Sequence, residues 1–155
     1  MGYTIVWETV ADIDTINRKR LHDAAVALAS AAYHSLGHAY TVIKDRGEYL
    51  QMWTKADNAE SLEIGYHVGD SGFCKTFRRD FTLIVAGILG YAEANGWVSV
   101  DSDDNTEELY QLGLAIGAEM ARREVVESHE QLWEEWDIMG QLKAMSNYLF
   151  LKAEQ

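Results

Sequence analysis

From Leu83 to Ala92 the chain reads LIVAGILGYA, ten residues without a charged side chain. Phe73, Phe77, Phe81, Ile84 and Ile88 lead into and through this run at helical spacing. That pattern predicts a helix with one greasy face, becoming apolar nearly all round. Such a helix is covered on several sides or crosses a membrane. A crossing takes about 20 apolar residues, so this one is buried in protein, and the other elements pack around it. Gly87 and Gly90 let a neighbouring helix or strand come close. Asn95-Gly96 stops the helix.

The flanking stretches read as strands and shorter helices. In LEIGYHVG, Leu62, Ile64, Tyr66 and Val68 face one way, and Glu63, Gly65 and His67 the other. This period of two predicts a half-buried antiparallel strand. Gly69-Asp70-Ser71-Gly72 breaks it, and Asp70 or Ser71 offers a cap for the central helix. At the start, YTIVWETV is β-branched and aromatic, with Tyr3, Ile5 and Trp7 on one face. Caps between Asp12 and Thr15 open a first helix with Leu21, Ala24, Ala25, Leu28, Ala32 and Leu36 inward; Gly37 closes it. AYTVIK and YLQMWTK form a hairpin through Gly47, and WVSV adds a fifth strand. Asn105 or Thr106 caps a further helix, with Leu109, Leu112, Ile116 and Met120 inward and Gly113 and Gly117 spaced for close helix contact. Ser128-His129-Glu130-Gln131 has the form of a capping box and starts a last helix, with Leu132, Trp136, Met139, Leu142, Met145 and Leu149 as its apolar stripe.

The sum is a single α+β domain over residues 1–155. An antiparallel sheet of four to five strands packs with two helices in residues 1–105. Two C-terminal helices follow in an acidic part, residues 106–155. The chain contains no proline, so no stiff linker divides it, and its 155 residues suffice for one real core. One cysteine excludes an internal disulfide and favours a reducing, cytoplasmic setting. Cys74 stands near Lys75, Arg78 and Arg79, which would make it reactive at a helix start. With no partner base in reach of the pattern, it reads as a small buried residue.

Charge narrows the function. The net charge is -12. Residues 1–100 carry twelve acidic and nine basic side chains; residues 101–155 carry thirteen and four. So negative a surface repels phosphate backbones and excludes direct nucleic-acid binding, and no membrane contact is implied. Glu127, Glu130, Glu134 and Asp137 lie at three- and four-residue steps, and a helix gathers them on one side with Trp133 beside them. Glu124 extends the row if the helix is continuous. Carboxylates with an adjacent aromatic suit a docking face for an Arg- and Lys-rich protein surface. The plain alternative is a solvated helix face. Five tryptophans, Trp7, Trp53, Trp97, Trp133 and Trp136, are many for this length and fit an oligomer or partner interface.

Metal and cofactor readings are weaker. Asp101-Ser102-Asp103-Asp104-Asn105 resembles the start of a calcium loop, but Thr106 stands where glycine is needed and Leu112 where the bidentate glutamate is needed. Helix capping explains these residues better. His34 and His38 have the i, i+4 spacing of zinc helices, yet Gly37 falls between them. No metal and no cofactor is expected.

The stretch Glu63-Ile64-Gly65-Tyr66, the turn Asp103-Asp104-Asn105 and Leu109-Tyr110-Gln111-Leu112-Gly113 together resemble the central region of GNAT acetyltransferases, over residues 62–113. The resemblance implies an acyl-CoA N-acyltransferase. The chain departs from that family at the acetyl-CoA loop, where Asp70-Ser71-Gly72-Phe73-Cys74-Lys75 replaces the Arg/Gln-x-x-Gly-x-Gly/Ala motif. A relative so altered would not hold the cofactor. The leading expectation is instead a small acidic inhibitor that occludes a basic, nucleic-acid-handling protein. Phage-encoded anti-defence proteins and immunity proteins act in this way. A structural or assembly subunit, forming a homo-oligomer, is the third reading.

Overall fold

In a computed structural model of the protein, residues 3–36, 41–54, 61–76 and 79–127 are described. The elements in order are β1 (Tyr3–Thr9), α1 (Thr15–Leu36), β2 (Thr41–Asp45), β3 (Tyr49–Thr54), β4 (Leu62–Gly65), β5 (Ser71–Thr76), α2 (Arg79–Ala94), β6 (Val98–Ser102) and α3 (Glu108–Glu127). The class is α+β, as the sequence predicts.

The sheet differs from expectation. Two three-stranded antiparallel sheets replace one, with orders β5-β1-β6 and β2-β3-β4. The second is the expected meander, turning through Gly47 at φ 91°. The first is built across the chain, with β1 in the middle: Val6 stands opposite Phe73 of β5 and Asp101 of β6.

The unforeseen element is β5. Ser71 to Thr76 is not the first turn of the central helix but a strand, and α2 starts only at Arg79. The spacing Phe73–Phe77–Phe81 misleads because a step of four suits a helix and is also a multiple of the strand period. In the strand, Cys74 and Thr76 are buried while Ser71, Phe73 and Lys75 are exposed. The C-terminal expectation also shifts slightly. Glu107, not Asn105 or Thr106, caps α3, accepting the Tyr110 amide at 2.7 Å. The last helix expected near Ser128 lies outside the described residues.

The two sheets meet at a seam. The indole Nε1–H of Trp7 donates to the Glu63 carbonyl at 3.1 Å, and the Thr9 hydroxyl to the Gly65 carbonyl at 2.7 Å. Side chains of the central strand of one sheet thus satisfy edge carbonyls of the other. Each bond contributes about 1 kcal/mol net. The loop after β4 is tied down as well. The Ile13 amide donates to the Tyr66 carbonyl, the Thr9 amide to the Asp70 carbonyl, and the Gly69 amide to the Thr9 carbonyl.

The core is organised by α2. Every residue from Phe81 to Ala92 is buried. Leu28 and Ala25 of α1 and Ile5 and Trp7 of β1 belong to the same apolar cluster. α3 supplies Leu109, Ile116 and Met120, as the stripe predicts. α2 and α3 pack closely because glycines meet there. A Cβ on Gly113 would stand 2.6 Å from the Ala86 Cβ, and one on Gly90 2.7 Å from the Leu114 Cα.

Candidate functional site

Of the acidic row expected to meet a partner, Glu124 is in α3 and Glu127 ends it. Glu130, Trp133, Glu134 and Asp137 lie outside the described residues. Glu124 does not extend an outward row. Its carboxylate accepts the Tyr91 hydroxyl, at 2.9 and 2.8 Å to its two oxygens, and pairs with the Arg20 guanidinium, whose Nε lies at 2.6 Å. Arg20 also donates to Asn17 at 2.8 Å and to Asn95 at 3.0 Å, and lies over the Trp97 ring. Residues 20 and 124 are too far apart in sequence for spacing to reveal the pair. Burial is the largest single influence and works against the Arg20 charge, but the hydrogen bond to Glu124 and the electrostatic pull of Tyr91 and Glu124 together outweigh it and raise the guanidinium pKa.

This network and the seam hold two phenols protonated. Burial, then the hydrogen bond to Glu124, pushes Tyr91 far above the ordinary tyrosine range. Burial, then the hydrogen bond to Asp45 at 3.0 Å, does the same for Tyr66. A raised folded-state pKa stabilises the fold fully below the unfolded value, about pH 10 for tyrosine. That stability is lost as pH rises further, because the unfolded chain ionises first. The melting temperature should therefore fall steadily above about pH 10, and Tyr91→Phe should flatten the slope. Circular dichroism melts across that range check it; an equal slope in the variant would remove Tyr91 from the account.

The calcium-like turn is self-contained. Asp101 accepts the Asn105 side-chain amide and the Ser102 amide, each at 2.8 Å, and Asp104 accepts the Thr106 hydroxyl at 2.6 Å and its amide at 2.9 Å. These bonds hold both carboxyls below the usual carboxylate range, with the side-chain bond from Asn105 or Thr106 the larger cause. Among the described residues no group of three or more His, Cys, Asp or Glu side chains could hold a metal ion. His34 is in α1, and His38 lies outside the described residues. Cys74 is buried in β5, with no helix start beside it.

One concave feature was not foreseen from the sequence. A depression of about 300 Å³ opens where the two sheets meet, lined by Glu48, Tyr49, Glu63, Gly65, His67, Asp70 and Ser71. The His67 Nε2 lies 2.7 Å from Glu48. Asp70 accepts the His67 amide at 3.1 Å and fills the space a Cβ on Gly65 would need. Among the described residues no hydrogen bond joins the Ser71 hydroxyl to His67. With three carboxylates and an imidazole, the depression suits a cationic guest rather than an anionic one. The segment at which an acetyl-CoA loop would stand is β5, paired along its length with β1. Only the sequence order Glu48…Glu63…His67…Asp70 hinted at this cluster, and the hairpin register was needed to bring it together.

No helix among the described residues is long and apolar enough to cross a membrane. No family model, curated protein or solved structure matches the chain.

Proposed function

We propose that the protein is a small acidic inhibitor that binds a basic, nucleic-acid-handling partner and occludes the surface that partner uses on phosphates. One observation carries the reading: among the described residues, most cations are engaged within the molecule. Lys19 pairs with Asp23, Arg20 with Glu124, and Arg122 and Arg123 both with Glu119. Arg18 lies over the Tyr66 ring at 4.4 Å, and Lys44 and Arg46 approach the Trp53 ring at 6.0 and 5.8 Å. Glu8, Glu48, Glu63, Asp101, Asp103 and Glu108 are exposed. Exposed carboxylates thus accompany the negative net charge, and a field of that sign attracts Arg- and Lys-rich surfaces while rejecting phosphate.

The mechanism is occlusion. Carboxylates pair with Arg and Lys that otherwise grip phosphate, and Trp133 in the acidic row adds desolvated contact area. The experiment is affinity capture from the native host at low ionic strength, followed by titration of the purified pair. The captured partner should carry a basic surface, and its affinity should fall steeply with salt. Reversing charge at Glu130, Glu134 and Asp137 together should weaken binding at least tenfold, about 1.4 kcal/mol. Unchanged affinity would refute the tail row as the contact surface, and a salt-insensitive complex would refute the electrostatic mechanism itself.

A further inference from the structure

Among the described residues, the outward face of the β5-β1-β6 sheet is open, and it departs from the usual composition of a solvated surface. Strand alternation puts Ile5, Trp7 and Thr9 inward, where they are buried. Val6 and Glu8 point outward from β1, Phe73 and Lys75 from β5, and Ser99 and Asp101 from β6. Antiparallel sheets commonly carry polar residues on their wet face. Here the centre is apolar. Val6 is 41 % exposed and Phe73 57 % exposed, and they are direct cross-strand partners. The two side chains form one small apolar patch on the middle of the sheet, a cross-strand pair open to contact.

The surroundings of the patch specify its occupant. Glu8 and Asp101 are exposed on the same face, and Asp103 stands at its end, its carboxylate accepting the Thr4 amide at 3.2 Å. Among the described residues Lys75 is the cation on this face. An apolar centre within a mainly anionic rim fits a partner with the opposite arrangement, an apolar or aromatic side chain ringed by Arg and Lys. A second copy fits worse, since each chain carries a net charge of -12 and would set carboxylates against carboxylates. The surface is also rigid: β1 is hydrogen-bonded on both sides, and the contact groups are held in place before binding.

We infer that this sheet face, centred on Val6 and Phe73, is a docking surface for a basic protein that inserts an apolar side chain between flanking cations. The inference rests on the acidic-inhibitor reading and adds to it a site away from the tail row. It is tested with a synthetic arginine-rich hairpin peptide carrying one central tryptophan, and with a control peptide in which glycine replaces the tryptophan. Titration into the isotopically labelled full chain at low salt should move the amide signals of Val6, Phe73 and Asp101. Affinity should drop about tenfold for the glycine peptide, and likewise for the Phe73→Ser protein, whose melting temperature should be unchanged because the side chain supports no core. If both peptides bind alike and Phe73→Ser changes nothing, this face is refuted while charge attraction survives. If neither peptide binds, the acidic-inhibitor reading itself is overturned. A concentration-dependent dimer in sedimentation that Phe73→Ser dissolves would reassign the patch to self-association. Amide shifts confined to residues outside the sheet would also overturn the assignment.

Discussion

Gly117→Ala should lower the stability of the protein by about 3 kcal/mol or more, enough to cost a domain of this size much of its folding free energy. A Cβ there would overlap the Gly87 carbonyl oxygen and the Tyr91 amide nitrogen, and would lie 2.9 Å from the Gly90 carbonyl carbon. All three are backbone atoms of α2, so no rotamer change relieves the clash. The helices must separate, and every buried contact between α2 and α3 loosens with them. The helix propensity gained by replacing glycine offsets only about 1 kcal/mol. Gly87→Ala is the matched control. Its Cβ would meet the Leu28 Cδ1 at 3.1 Å, the far end of a side chain that can turn, and the result should stay within about 1 kcal/mol of the parent. Urea unfolding of both variants decides the matter. Equal stabilities would mean that α2 and α3 do not meet backbone to backbone at Gly117.

Both halves of that contact were legible in the sequence, though not that they meet each other. Gly113 and Gly117 one turn apart mark one face for close approach, and Gly87 and Gly90 of the apolar helix mark another. The hairpin at Gly47 and the strand after Asn95-Gly96 were legible for similar reasons, since each depends on turn chemistry confined to a few residues. Long-range pairing was not legible. β1 lies between β5 and β6, and nothing local tells Tyr3–Thr9 which strands it will join. A hairpin meander and a separate second sheet present the same alternation. β5 was hidden by its own composition: its exposed Phe73 reads as a core residue of the helix that follows it. The same misreading concealed the apolar patch, because an outward aromatic on a strand cannot be told from an inward one on a helix by type alone.

The acidic row shows the same division. Periodicity gathers Glu124 with Glu127, Glu130 and Glu134, but periodicity describes a helix in isolation. What Glu124 faces is Arg20, and Arg20 sits in an exposed-looking stretch, NRKRLHD. Three of the polar groups around it, Asn17, Asn95 and Tyr91, come from two helices and a turn. Tertiary packing therefore converts one member of an apparent binding row into a structural ion pair.

This conversion has a measurable consequence. Glu124→Ala should destabilise the fold by about 2 kcal/mol, between the small cost of losing a surface pair and the larger cost of stranding a buried charge. The intermediate figure follows from exposure: the Arg20 and Glu124 side chains are 32 % and 20 % accessible, whereas Lys19 and Asp23 are 79 % and 49 %. Removing the carboxylate leaves the Tyr91 hydroxyl and the Arg20 guanidinium without their shared acceptor, although Arg20 keeps Asn17 and Asn95. Replacing all three partners, Arg20→Met with Glu124→Leu and Tyr91→Phe, should return stability to within about 1 kcal/mol of the parent, since neither a charge nor the Tyr91 hydroxyl is then stranded. Lys19→Ala should change it by less than about 1 kcal/mol. Folded Glu124→Ala protein should bind its partner as the parent does, because this carboxylate faces inward. Urea unfolding and a binding titration on the same variants separate the two roles. A large loss of affinity without a loss of stability would return Glu124 to the contact surface.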